Sequence, residues 1–393
     1  MQELKMKLKT GTALLKEMES LKAPTTFGSG WLSGVSALLL ATIGLLSVLC
    51  LHYPNLLTVP EIQAAIDISL FRVIIKIVLI AGFILSCISL ILRQNKLLGM
   101  TAIVLVMIAI VMGGSASMAV YRTSGNIYFG LDWFLLNLIM TGVLFLPLER
   151  LFRLVEQSVF RTEWREDLFY FFISSIMIQS ITYLSMIPAT NILKFSDLSK
   201  VNELIAGQPI WVQFIEIMIF TDFVQYWLHR SFHIFPFLWR FHAIHHSAQA
   251  LDWLAGSRMH FCEIICLRGA TVIPMYILGF DNTALYSYII LVYLYATYVH
   301  SNLKFDIEFL KPFLVTPRFH HWHHGIEKEA IDVNFSIHFP LYDRLFGTYY
   351  MPKKKWPSGY GIKSNPVPAG YIKQFLYPFK KKKEKKVRES FNL

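Results

Sequence analysis

Apolar residues gather in long, nearly unbroken runs at about 31–51, 70–92, 98–120, 130–148, 168–188 and 209–228. Each run approaches the roughly 20 residues that a helix needs to cross the hydrocarbon core of a bilayer. Two further apolar stretches, about 264–280 and 284–299, are shorter, and the first carries Arg268 and Pro274. They predict a re-entrant or tightly turned hairpin rather than two full spans. Ahead of the first run, residues 1–24 mix lysine with leucine (Lys5, Lys7, Lys9, Lys16, Lys22) and predict an amphipathic helix lying on the membrane. No short apolar core with a small-residue cleavage site directly follows these lysines, so the segment does not read as a secretory signal peptide.

Positive residues in the short loops set the expected orientation. The N-terminal lysines, Arg93 with Lys96, and the 149–167 loop with Arg150, Arg153, Arg161 and Arg165 fall on one face when successive spans are counted off. That face is expected to be cytoplasmic. Six spans return the chain to it at His229, and the hairpin returns it again at His300. The pattern therefore predicts an all-α integral membrane protein, a multi-span helical bundle with a cytoplasmic histidine-rich helical cap. The expected division is an N-terminal amphipathic segment with accessory transmembrane helices (1–125), a catalytic core (126–352) and a basic cytoplasmic tail (353–393). A bacterial inner membrane is expected rather than the endoplasmic reticulum.

Composition agrees with lipid as the solvent. The chain of 393 residues is 54% hydrophobic and 16% charged, against about 25% charged in soluble domains. The net charge of +11 does not point to nucleic acid, because the basic residues sit in loops and in the run Lys380–Lys383, Lys385 and Lys386. Such a run suits anionic lipid headgroups. Cys50, Cys87, Cys262 and Cys266 form no CxxC pair and read as packing residues. Histidine is the anomaly: 11 of the 13 fall between His229 and His324.

Most of these fall into three boxes, His229-Arg-Ser-Phe-His233, His242-Ala-Ile-His245-His246 and His320-His321-Trp322-His323-His324. On a helix, positions i, i+3 and i+4 span about 100° of arc, so three imidazoles converge on one side. The adjacent pair of each HxxHH pattern is then placed to divide between two neighbouring metal ions. Neutral imidazole ligates iron, zinc, copper and nickel. Buried without a metal, so many rings would be costly to keep.

The order HxxxH, HxxHH and a distant HxxHH resembles the fatty acid hydroxylase superfamily with its sterol-desaturase branch. Asp222-Phe-Val-Gln-Tyr-Trp-Leu-His229-Arg230 resembles the family's approach to box one. Thr316-Pro317-Arg318 before box three and Asp343-Arg-Leu-Phe-Gly347-Thr348 after it strengthen the likeness. The resemblance covers about 130–352. It implies a membrane-bound di-iron oxidoreductase that hydroxylates or desaturates a sterol, fatty acyl chain or related lipid with O2. It also implies a lipid substrate taken from the bilayer, electrons from an external reductase or electron carrier, and two iron ions, with zinc able to replace them during purification. The implied ligands are His229, His233, His242, His245, His246, His300, His320, His323 and His324. His260 is either a tenth ligand or a support to one, and Lys304 stands where some relatives carry another histidine. His321 either faces substrate or caps a ligand, whereas His52 and His338 lack cluster partners.

Asp222, two helical turns before His229, is the candidate catalytic-site acid, expected to orient an imidazole through its second N–H. Glu263, Asp332 and Asn334 are weaker candidates for the same task. Some relatives of the alkylglycerol monooxygenase type carry an acid directly after box one; Ile234 stands there, which argues against a pterin requirement. Two other readings compete. A membrane zinc hydrolase lacks support because Arg230 replaces the glutamate of HExxH. A histidine-rich divalent-metal transporter would hold its ligands near mid-span, and these boxes lie at span ends. No ferredoxin-type cysteine motif, CxxCH or GxGxxG is present, so electrons are expected to come from another protein.

Overall fold

The computed structural model describes residues 28–117, 129–177, 198–305 and 309–380, with residues 180, 184, 187 and 191. The expected amphipathic segment 1–24, much of the second half of the expected 168–188 span, and the lysine run beyond Lys380 lie outside them. The described residues form helices joined by loops, with no strand and two isolated bridges. Two compact units emerge. One runs to Met140 and takes in Gln157–Phe160 and Ser175–Gln179; the other holds Thr141–Glu156, Arg161–Ser174 and the chain from Ser180.

The first unit is built on α1 (Trp31–His52), α2 (Ile68–Leu92) and α3 (Leu97–Val111). Small residues recur along one side of α1, at Gly34, Ala37, Ala41 and Gly44, and pack against α2 and α3. A Cβ on Gly34 would stand 2.5 Å from Ser89 Oγ, and one on Gly44 would stand 2.6 Å from Leu79. Lipid gives apolar side chains no drive toward one another, so close backbone approach and van der Waals packing must hold such helices together. Val73, Ile77, Ile84, Ile91, Val104 and Val111 are exposed, as residues facing lipid would be.

The principal helices that follow are α4 (Leu131–Leu151), α5 (Trp164–Ile176), α6 (Ser199–Ala206), α7 (Ile210–Ile234), α8 (Pro236–His246), α9 (Phe261–Leu278), α10 (Asn282–His300) and α11 (Pro317–His323). The boundary between units falls within α4. Five helices among the described residues are long and apolar enough to cross a membrane: α1, α2, Leu97–Ala116, α4 and α9. The pair α6 and α7, bent by 118°, makes a sixth if it is one span. The protein is therefore a multi-pass membrane protein of all-α class. The expected hairpin is unequal. Its first limb, α9, reaches spanning length through Pro274, while α10 with its many tyrosines does not qualify. Gly279, at φ 76°, and Asp281, whose carboxylate accepts the Thr283 N–H at 2.6 Å, make the turn between them.

Candidate metal centre

Two Xaa-Pro steps aim the boxes at each other. Box one ends α7, so His229 and His233 lie one turn apart on the same face. Phe235 is extended and Pro236 opens α8 at once, because proline disfavours a helical residue before it and suits the first helical position. Box two then rides α8. Thr316 and Pro317 repeat the device ahead of α11, which carries His320, His321 and His323, with His324 as its C-cap. His300 is the last residue of α10.

The nine imidazoles form two groups, His229, His233, His242, His246 and His323 in one, and His245, His300, His320 and His324 in the other. Within each group one ring nitrogen per residue lies within 4.8 Å of the rest. The i,i+4 pairs stay together, and the intervening ring crosses over: His245 leaves His242 and His246, and His323 leaves His320 and His324. All nine side chains are 1–7% exposed.

Proton placement tests whether metal fits here. The Nδ1–H of His229 donates to the Phe335 carbonyl at 2.9 Å, that of His323 to Val333 at 2.7 Å, that of His245 to Arg258 at 3.2 Å and that of His300 to Ala296 at 2.7 Å. His242 Nδ1–H meets Glu263 at 2.5 Å and His233 Nδ1–H meets Asp332 at 3.2 Å. Carbonyls and carboxylates only accept, so these rings carry their proton on Nδ1 and a bare lone pair on Nε2. Those lone pairs face one another: His229 and His242 Nε2 are 3.0 Å apart, and His245 and His300 Nε2 are 3.2 Å apart. His246 Nε2 lies 3.0 Å from His323 Nε2, and His233 Nε2 is buried without a partner. Acceptors facing acceptors repel unless a cation lies between them. The donor set therefore fits metal ions, one to each group.

Electrostatics point the same way. Burial, reinforced by neighbouring imidazoles, holds His245, His246, His320 and His324 well below the ordinary histidine range and puts His323 at about 3. The rings are thus neutral near pH 7, the form that binds metal.

Behind the rings stands a buried ionic frame. Arg161 donates to Asp167 at 2.5 Å and to Asp252 at 2.7 Å, while Arg258 pairs with Asp167 and, at 3.0 Å, with Glu163. Asp252 also accepts the Leu254 and Ala255 N–H groups, which fixes the loop bearing the Arg258 carbonyl. Glu149 accepts the N–H groups of Trp253 and Asn302 at 2.8 Å each, tying that loop to the turn after His300. Gly256 is required for close approach, since a Cβ there would stand 2.9 Å from His300 Nδ1.

Three sequence-derived roles change. His260 lies outside both groups. Its Nδ1 accepts the Cys262 N–H at 3.1 Å, capping α9, and its Nε2–H donates to the Phe375 carbonyl at 3.0 Å. Neither nitrogen has a lone pair left for metal. Asp222 touches no imidazole of either group; it accepts the backbone N–H groups of Ile337, His338 and Phe339, each at 2.9 Å. It anchors the loop that supplies the Phe335 carbonyl, and the imidazole-orienting acids are Glu263 and Asp332. His321 has both nitrogens engaged, by the Tyr360 hydroxyl at 2.7 Å and the Ser301 carbonyl at 3.1 Å. Asn334 bonds backbone groups of Phe319 and Tyr350. Sequence reasoning missed Glu149, Asp167 and Asp252, and read Arg161 only as a loop charge. Acids are scarce in this chain, and those flanking apolar runs were the available signal.

Residues 214–348 match the family model "Fatty acid hydroxylase". The chain is 28% identical over 179 residues to the ornithine lipid hydroxylase OlsE of Rhizobium tropici, covering 46% of this chain and 54% of that protein. It is 28% identical over 150 residues to alkylglycerol monooxygenase of Xenopus tropicalis, 37% of this chain and 31% of the relative. Methylsterol monooxygenase 1-2 of Arabidopsis thaliana is 28% identical over 141 residues, 35% and 47% of the two chains. The matches thus span about half or less of these curated relatives. No solved structure matches the chain. The matched segment contains all three boxes and His300, so residues 214–348 carry a fatty acid hydroxylase domain, similar in sequence to these lipid-modifying relatives.

Proposed function

We propose that this protein is an O2-dependent oxidoreductase that hydroxylates or desaturates a membrane lipid at a centre of two iron ions. The facing, unprotonated Nε2 atoms of the pairs His229–His242 and His245–His300 carry this reading, because a cation between them relieves the arrangement. The proposed ligands are His229, His233, His242, His246 and His323 for one ion, and His245, His300, His320 and His324 for the other. When bound, such a pair supplies the oxidising chemistry that breaks an unactivated C–H bond.

The chain's own residues prepare the site. Backbone carbonyls fix the tautomer of four rings, and Glu263 and Asp332 make two others more basic donors. The burial of all nine rings keeps bulk water away from the place the ions would occupy. Asp222 acts as a positioning residue, and so does His260. We assign the catalytic core to about 126–352, the accessory helices to 1–125 and the basic tail to 353–393, with the histidine cap in the cytoplasm. Substrate arrives from the bilayer and electrons from a separate carrier. Two groups of buried imidazoles suit neither a mononuclear zinc hydrolase nor a mid-span transport site.

The test is turnover of a broad lipid extract by iron-loaded protein with a competent electron donor under 18O2. A hydroxylase leaves one labelled oxygen in its product; a desaturase consumes O2 and leaves an unlabelled alkene. No change across sterol, acyl and ether-lipid pools refutes the assignment.

A further inference from the structure

The histidine groups are too deeply buried for another protein to touch them, so reducing power has to enter through surrounding residues. One exposed turn is bonded directly to box three. The Trp322 Nε1–H donates to the Lys355 carbonyl at 2.9 Å, and Arg318 Nη1 donates to the Pro352 carbonyl at 3.2 Å. Between those carbonyls the side chains of Lys353, Lys354 and Lys355 are exposed, and none pairs with an acid among the described residues. Trp356, next in the chain, is half-buried with its ring 5.3 Å from that of His321. His321 Nε2–H in turn donates to the Ser301 carbonyl at 3.1 Å, and Ser301 is bonded to His300. Trp322 itself lies between His321 and His323 in the chain and is 5% exposed.

Resting on the oxidoreductase reading above, we propose that the exposed lysines Lys353–Lys355 are the docking surface for an acidic one-electron carrier protein, with Trp322 and the inward-packed Trp356–His321 pair as the route inward. Each encounter oxidises the carrier by one electron and reduces the centre by one. Two such electrons, one O2 and two protons convert R–H to R–OH and one water. Three adjacent unpaired lysines give the local positive potential that steers an acidic partner. Nearby acids reduce it without cancelling it: Glu327, which accepts the Ser358 N–H at 2.5 Å, sets one negative charge against three lysines, and Glu329 is offset by Lys328 beside it in the chain. A turn seated among headgroups would gain from an outward aromatic ring; here the Trp356 ring packs inward on His321, which favours a protein partner over lipid.

The test uses the full chain in phosphatidylcholine nanodiscs with an acidic [2Fe–2S] ferredoxin as the probe carrier. Reversing the three charges together (Lys353→Glu, Lys354→Glu, Lys355→Glu) should weaken ferredoxin binding at least about tenfold and flatten its salt dependence. Trp356→Leu should leave that affinity unchanged while slowing reoxidation of reduced ferredoxin by iron-loaded protein. Unchanged affinity after charge reversal overturns the proposal. So does quenching by nitroxide-labelled lipid of a fluorophore on Lys354→Cys, in a background lacking the native cysteines, since that would seat the turn on headgroups. Charge-dependent binding and reoxidation of the carrier without oxidation of any lipid would uphold this docking surface and refute the enzymatic reading instead.

Discussion

Glu263 does for His242 what a carbonyl does for His229, and adds a charge. At 2.5 Å from Nδ1, its carboxylate fixes the tautomer and raises the basicity of Nε2. Glu263→Gln keeps an acceptor but removes the charge, so metal affinity should fall by about tenfold; Glu263→Ala should cost up to about 100-fold. Metal retention during titration with a chelator measures both, and unchanged retention in both variants would show that Glu263 does not support the His242 ring as a ligand. The boxes themselves were legible because i, i+3 and i+4 spacing is a local property of a helix. The division of each adjacent pair between two groups was legible for the same reason. His260 was not, since its neighbours resemble a ligand segment while its two nitrogens are claimed by contacts at Cys262 and Phe375, the latter 115 residues away.

At the level of elements, the loop 335–339 holds the site's back wall. Asp343 accepts the Phe335 and Ser336 N–H groups at 2.8 and 2.9 Å, and Asp222 accepts the next three. Five consecutive N–H groups are thus tied to two buried carboxylates, and the Phe335 carbonyl is held on His229. Asp222→Asn retains a single acceptor oxygen for three donors and should cost about 1–3 kcal/mol of stability. The measurement is thermal unfolding in detergent, compared with metal content at low temperature. A variant as stable as the parent but short of metal would return Asp222 to an imidazole-orienting role. The sequence marked Asp222 through its depth in an apolar helix, but not its partners, because a carboxylate that accepts backbone N–H groups leaves no side-chain pattern to read. Similarly, residues 353–380 read as a tail yet are tied in: Glu166 accepts from Gly370 N–H and Gln374, and His321 meets Tyr360.

For the whole molecule, hydropathy sufficed to establish a helical membrane protein, since a lipid solvent leaves a single chain few ways to satisfy its backbone. Span count was harder. Proline within α9 did not shorten it, while the tyrosines of α10 lowered its hydropathy. Sidedness rests on the positive loops, and Arg161, 3% exposed in its ion pairs, is a weaker marker than an exposed lysine. A cysteine at Lys354 should react with an impermeant reagent from the cytoplasmic side; labelling from the opposite side would invert the arrangement. Metal stoichiometry decides whether two ions lie among the nine facing imidazoles. Elemental analysis of purified protein measures it, with His242→Ala for one group and His320→Ala for the other. About two transition-metal ions per chain are expected in the parent, with each variant losing most of one, whether the ion found is iron or zinc. A parent protein that retains one ion or none after loading, or variants that retain both, would rule out the two-ion centre.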